Sequence, residues 1–159
     1  MGTSIRTQHR VSLAVGLAML AMLLSAPSSA SASAFGCQYV GGFGFSHQGV
    51  TIQAPQGWLC HDIRGNGKVV TSETASYGAV PSLYGALTGR ICNWRIDFVY
   101  RGQNNNVYRT DRGPAHANCA WTVSRNVEAD KTLAYYGTAC AQLYVSGVLR
   151  AKQCHNITA

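Results

Sequence analysis

Six cysteines, Cys37, Cys60, Cys92, Cys119, Cys140 and Cys154, follow an apolar leader in a chain of 159 residues. The leader carries Arg6 and Arg10 with no acid among residues 1–10, then an apolar run over 11–24 that only Ser12 and Gly16 interrupt. Small residues follow and end at Ala34, with Ala30 and Ala32 also meeting the small-x-small rule. A charged start, a short apolar segment and an A-x-A end make a secretory signal peptide over 1–34. The run is shorter than the roughly 20 apolar residues that a membrane span needs. Without a twin-arginine pair, export runs unfolded through the general pathway. Removing 34 of 159 residues leaves 125, one domain at 35–159 with every cysteine retained. Outside the cell an even number of cysteines in a chain this short reads as a disulfide framework.

The exported part reads as hairpins, and its short alternating runs broken by Gly and Asn predict an all-β fold. In residues 91–101, Cys92, Trp94, Ile96, Phe98 and Tyr100 alternate with Asn93, Arg95, Asp97 and Arg101. Period 2 predicts a strand with one buried face and one wet face, the wet one holding Arg95 and Arg101. Gly102 to Asn106 supplies turn residues and 107–110 returns. Folding about residue 104 carries Cys92 near residue 116, within a few residues of Cys119. Residues 138–145 and 148–155 flank Ser146-Gly147, a two-residue hairpin loop. Pairing about that loop opposes positions whose numbers add to about 293, which sets Cys140 against Cys154. Cys37 and Cys60 remain for the third bridge. A further hairpin is expected over 58–74, turning at Gly65-Asn66-Gly67, while 128–133 reads as a loop with room for one helical turn. The expected architecture is a small disulfide-stapled antiparallel sandwich or barrel-like domain built from hairpins.

Chemistry-bearing motifs are absent from the sequence. A nucleophile needs a base in reach, but every Cys is assigned to a bridge and no G-x-S-x-G occurs. His47, His61, His116 and His155 are scattered without metal-ligand spacing, so no metal or other cofactor is expected. His61-Asp62 suggests a turn residue and its cap, since neighbours on a strand face opposite ways. Asp97 reads as an ion-pair partner of the arginines on its own face. Asn156-Ile157-Thr158 matches a glycosylation sequon, a short and weak signal.

The 47% hydrophobic and 12% charged composition excludes disorder driven by charge. The net charge of +7 and the clustering of Arg101, Arg109 and Arg112 on the central hairpin mark either a surface for an acidic partner or a solvated basic face. Export makes nucleic acid an improbable partner. The N-terminal arm, 35–53, sets Phe35, Tyr39, Phe43 and Phe45 among glycines. That composition weakens a core strand and suits either a segment that orders on a partner or a loop pinned by Cys37–Cys60.

The runs Ile91-Cys92-Asn93-Trp94-Arg95-Ile96-Asp97-Phe98, Tyr108-Arg109-Thr110-Asp111-Arg112-Gly113, Tyr136-Gly137-Thr138-Ala139-Cys140-Ala141 and Gln153-Cys154-His155 resemble a group of small secreted actinomycete proteins. The resemblance spans about Trp58 to the C-terminus and is strongest to the small adaptor subunit of the umbrella toxin particles of Streptomyces. It implies a non-enzymatic adaptor that joins a lectin-bearing, trypsin-like-domain subunit to the repeat-containing stalk of a toxin acting on competing bacteria. It further implies that an N-terminal extension enters the partner's cleft, a role that falls on 35–53 here. Partner-binding residues are thus expected at Phe35, Tyr39, Phe43 and Phe45 and, separately, at Arg101, Arg109 and Arg112. A secreted inhibitor of a protease or other hydrolase is the competing expectation, because a stapled β scaffold pre-orders a binding loop.

Overall fold

The computed structural model describes residues 32–79 and 90–159, and these form ten strands and no helix. The expected signal segment, apart from its last residues, lies outside the described part. In chain order the strands are β1 (Ala34–Val40), β2 (Phe43–His47), β3 (Val50–Ala54), β4 (Gly57–Asn66), β5 (Val69–Ala79), β6 (Trp94–Gly102), β7 (Val107–Asp111), β8 (Thr122–Thr132), β9 (Gly137–Val145) and β10 (Val148–Ile157). One antiparallel sheet runs β1-β4-β5-β8, the second runs β10-β9-β6-β7, and β2-β3 is a separate hairpin. The protein is a disulfide-stapled all-β domain.

Alternation along the central strands builds the core. On β4, Leu59, His61 and Ile63 are buried while Trp58 and Arg64 face solvent. On β5, Val70, Glu73, Ala75 and Tyr77 point inward, with bulges after Arg64 and Val70 adjusting the register. Facing them are Ile96, Phe98 and Tyr100 of β6 and Ala139, Ala141, Leu143 and Val145 of β9, all in one apolar cluster. Burial of a large apolar side chain contributes about 1.5–3 kcal/mol, and this layer supplies most of that gain.

All three expected disulfide pairings are present, each between strands or bridge positions that already lie opposite one another. Cys37 and Cys60 are cross-strand partners on β1 and β4, and Cys140 and Cys154 on β9 and β10. Cys92–Cys119 joins the segments beyond the central hairpin, where Ile91 bridges Ala120 and Trp94 bridges His116. The β9–β10 turn has Ser146 at φ 50° and Gly147 at φ 78°, the left-handed pair that a two-residue hairpin needs.

Four expectations are corrected. Residues 128–132 are the end of strand β8, not a loop or helical turn, because β5 offers them a ladder of backbone partners. His61 sits in mid-strand and fully buried, not in a turn, because Leu59 and Ile63 place it on the core face. Strand β6 has no wet face: Asp97 and Val99 are buried and Arg95 is largely covered. Asp97 accepts from Arg95 Nε at 2.8 Å and from the Gly113 N–H at 2.9 Å, and Val99 lies beside Cys140 on β9. The arm at 35–53, expected either to order on a partner or to run as a pinned loop, forms three strands of the domain itself. Strand β1 pairs along its whole length with β4, and β2-β3 rests on the β9–β10 turn through Ser146 Oγ to the Ser46 carbonyl at 3.1 Å. A side chain at position 36 would press on the Gln153 and His155 side chains, which shows how closely β1 lies to β10 there.

Candidate functional site

The residues expected at a partner-binding arm separate into two groups. Phe45 is buried in the core cluster and Phe43 is half-buried under the Arg150 guanidinium, 4.8 Å from its ring centre. Phe45 is therefore withdrawn from any partner surface, because β2 turns its ring toward the apolar interior. Phe35 and Tyr39 alternate onto the outer face of β1 and are 70% and 46% exposed. Trp58, opposite Tyr39 on β4, is equally exposed and meets it edge-on at 5.4 Å. The Tyr39 hydroxyl donates to Gln56 Oε1 at 2.6 Å, and the Cys37–Cys60 bridge lies between Phe35 and the Tyr39–Trp58 pair in the register. An exposed aromatic face is thus held rigid by a disulfide and a hydrogen bond.

The arginines also separate. Arg101 is half-buried and donates to the Asn105 carbonyl at 3.2 Å, which shapes the β6–β7 turn. Arg109 is exposed, pairs with Asp111 at 2.7 Å and lies 5.9 Å from the Tyr100 ring centre. Arg112 is exposed. Strand β7 is the edge of its sheet farthest from β10, whereas β1 packs beside β10. The aromatic face and the arginines therefore occupy opposite edges of the molecule.

Between them lies a charged network that sequence reasoning did not assemble. Glu73 is fully buried; its Oε1 accepts from His61 Nε2 at 3.0 Å and its Oε2 from Lys131 Nζ at 2.7 Å and from the Tyr100 hydroxyl. Lys131 also reaches Asp111 Oδ2 at 3.2 Å and the Tyr100 hydroxyl. Burial alone would raise the Glu73 carboxyl, but the His61 hydrogen bond and the charge and hydrogen bond of Lys131 prevail and hold it below its ordinary value. Burial beside Glu73 pushes the Tyr100 phenol far up, so it stays a donor. Asp111 is likewise held low: its burial is outweighed by Arg109 and Lys131. Across the same gap Arg125 Nη1 donates to the carbonyls of Ile96, at 3.0 Å, and Asp111, at 2.6 Å. These long cations on β8 lace the first sheet to β6 and β7 of the second. A saturated, buried carboxylate of this kind closes the sandwich and is out of reach of any substrate. The signal was present in the L-C-H-D-I alternation, which puts His61 inward, and in Glu73 at the same parity as Ala75 and Tyr77.

His155 packs on the opposite side of His61 at 5.0 Å between ring centres and donates to the His61 carbonyl at 2.9 Å. Burial lowers the His155 imidazole and outweighs the opposing pull of that hydrogen bond. His47 comes near the sulfurs of Cys92 and Cys119, but both are committed to their bridge and hold no thiolate for a metal.

The fold and these surfaces define a class by structure alone, a small β domain stapled by three disulfides with rigid exposed faces. No helix among the described residues is long and apolar enough to cross a membrane. No family model, curated protein or solved structure matches the chain.

Proposed function

We propose that this chain is a secreted, non-enzymatic adaptor that holds two larger secreted proteins together, in the manner of the linker subunit of an antibacterial umbrella toxin particle. The observation that carries the reading is the pair of exposed surfaces on opposite edges: Phe35, Tyr39 and Trp58 on β1 and β4, and Arg109 and Arg112 at β7. An adaptor needs two such surfaces, and each here has its own chemistry. Exposed aromatics set in a rigid frame are typical binding anchors, and edge-strand arginines add charge complementarity that steers association. The partners suggested by the sequence resemblance are a lectin-bearing, trypsin-like-domain subunit and a repeat-containing toxin stalk. The engagement of four of the six carboxylates supports a binding role over hydrolysis. Asp62 pairs with Arg64, Asp97 with Arg95, Asp111 with Arg109, and Glu73 is saturated in the core. A glycosidase would need two carboxyl groups facing one sugar.

Purification of the tagged protein from culture medium, followed by mass spectrometry, tests the proposal. The variant Phe35→Ser/Tyr39→Ser/Trp58→Ser should lose one large partner and keep the other, and Arg109→Ser/Arg112→Ser should do the reverse. Loss of both partners from either folded variant, or a 1:1 complex with a hydrolase alone, would favour the inhibitor reading and overturn the adaptor.

A further inference from the structure

At the end of the sandwich where β4 meets β5, three loops converge on an open cleft of about 770 Å³. Lys68 comes from the β4–β5 turn, Gly102, Gln103, Asn104 and Asn106 from the β6–β7 turn, and residues 134–136 from the β8–β9 loop. A smaller depression of about 380 Å³ continues from it, sharing Gly102, Gln103 and Tyr136 and reaching Asn156 and Thr158. The first volume lies in the range of small-ligand sites, and the continuation makes the cleft longer than one compact ligand requires.

The loops are braced. The Leu133 N–H donates to the Lys68 carbonyl at 2.8 Å, which ties the β8–β9 loop to the β4–β5 turn. Within the β6–β7 turn, Gly102 N–H reaches the Asn106 carbonyl at 3.0 Å and Asn105 N–H reaches the Gly102 carbonyl at 2.9 Å. The Tyr108 hydroxyl donates to the Tyr135 carbonyl at 3.2 Å, and the two rings meet edge-on at 5.2 Å. Tyr135 nevertheless remains 60% exposed. An aromatic ring set this firmly and left this bare has not been placed there by the core.

The lining alternates two chemistries. Tyr108, Tyr135 and Tyr136 offer ring faces whose negative quadrupole attracts the polarised C–H groups of a pyranose ring. Gln103, Asn104 and Asn106 offer amides, each both donor and acceptor, which match sugar hydroxyls that are also both. Lys68 is the one charged residue lining the first cleft among the described residues, and it lies 5.6 Å from the Tyr136 ring centre. Among the described residues no Asp or Glu side chain lines either depression, so the carboxyl pair that most glycoside cleavage uses is not found there. We infer that this cleft is a binding site for a neutral oligosaccharide, with Tyr135 as the stacking platform and Gln103 and Asn104 as hydroxyl partners. The ligand is held and released unchanged. The site does not depend on the adaptor reading, since it acts on the isolated protein.

The test uses the purified secreted protein without partners. Retention on insoluble chitin and cellulose is measured, followed by titration calorimetry with chitohexaose and cellohexaose. At least one probe should bind, binding should persist in high salt because no charge pairing carries it, and Tyr135→Ala should weaken it by about tenfold or more. Asn104→Ala should weaken it while leaving the circular dichroism unchanged, and Val148→Ala, exposed at the end of β10 away from Asn156, should bind as the wild type does. The inference is overturned if no neutral glycan is retained, if Tyr135→Ala binds equally well with its fold intact, or if retention is confined to anionic polymers and vanishes with salt.

Discussion

Strands β1 and β6 share a sequence style and differ in fate. Both carry aromatics at alternate positions, yet Phe98 on β6 is fully buried while Phe35 on β1 is 70% exposed. Strand β6 is central in its sheet, flanked by β9 and β7, and even its outward residues Asp97 and Val99 are covered. Strand β1 is an edge strand whose outer face is left open among the described residues, so its aromatics stay in water. Alternation tells which residues share a face. It does not tell whether a face is covered, because the cover comes from segments far away in the chain. An edge strand with bare aromatics would invite aggregation; here β4 pairs with one edge of β1, and β10 packs against its inner face at Gly36.

The largest test of this contrast is Phe98→Ala. Its ring stacks on His61 and lies beneath the Arg125 guanidinium, so truncation should cost roughly 3–5 kcal/mol in chemical denaturation. A loss no greater than that of a surface substitution would mean that β6 does not form the core.

The second test strikes the network behind β6. Glu73→Gln removes the nearer of two charges opposite a buried ammonium and should cost about 3 kcal/mol at neutral pH, because Lys131 keeps only the more exposed Asp111 as its counter-charge. The same residue shapes the acid limb. A glutamate held below its ordinary 4.5 in the fold contributes stability that is complete above 4.5 and is lost as pH falls through the lower folded value. Asp111 acts in the same direction below 3.8. His155, lowered from 6.5, takes up its proton more readily when unfolded, so its contribution also disappears as the medium acidifies below 6.5. Stability should therefore fall steadily from pH 7 to pH 3, and Glu73→Gln should flatten the part below pH 4.5. An unchanged acid slope in that variant would show that Glu73 titrates alike in both states.

The smallest effect is expected at β1. Phe35→Ala should alter stability by no more than about 0.5 kcal/mol, as exposed substitutions do. A cost near that of Phe98→Ala would mean that the outer face of β1 is covered after all.

The sequence by itself determined the all-β class and the Cys140–Cys154 pairing, both from local periodicity and from turn residues such as Ser146-Gly147, which set a register that any partner strand must obey. The central hairpin brought Cys92 only to the neighbourhood of Cys119, and Cys37–Cys60 was left by elimination. It also placed Trp94, Ile96, Phe98 and Tyr100 together on one face, and all four are buried. Only the tertiary structure decided that Phe45 turns inward while Phe35 turns out, that Asp97 is covered, and that 128–132 is strand. It alone brought Glu73, His61, Tyr100 and Lys131 to one point and gathered Lys68, Asn104, Tyr108 and Tyr135 around one cleft. The physical reason is distance along the chain. Alternation is a property of neighbours and can be read in a few residues, whereas burial and convergence depend on which remote strands come to lie alongside.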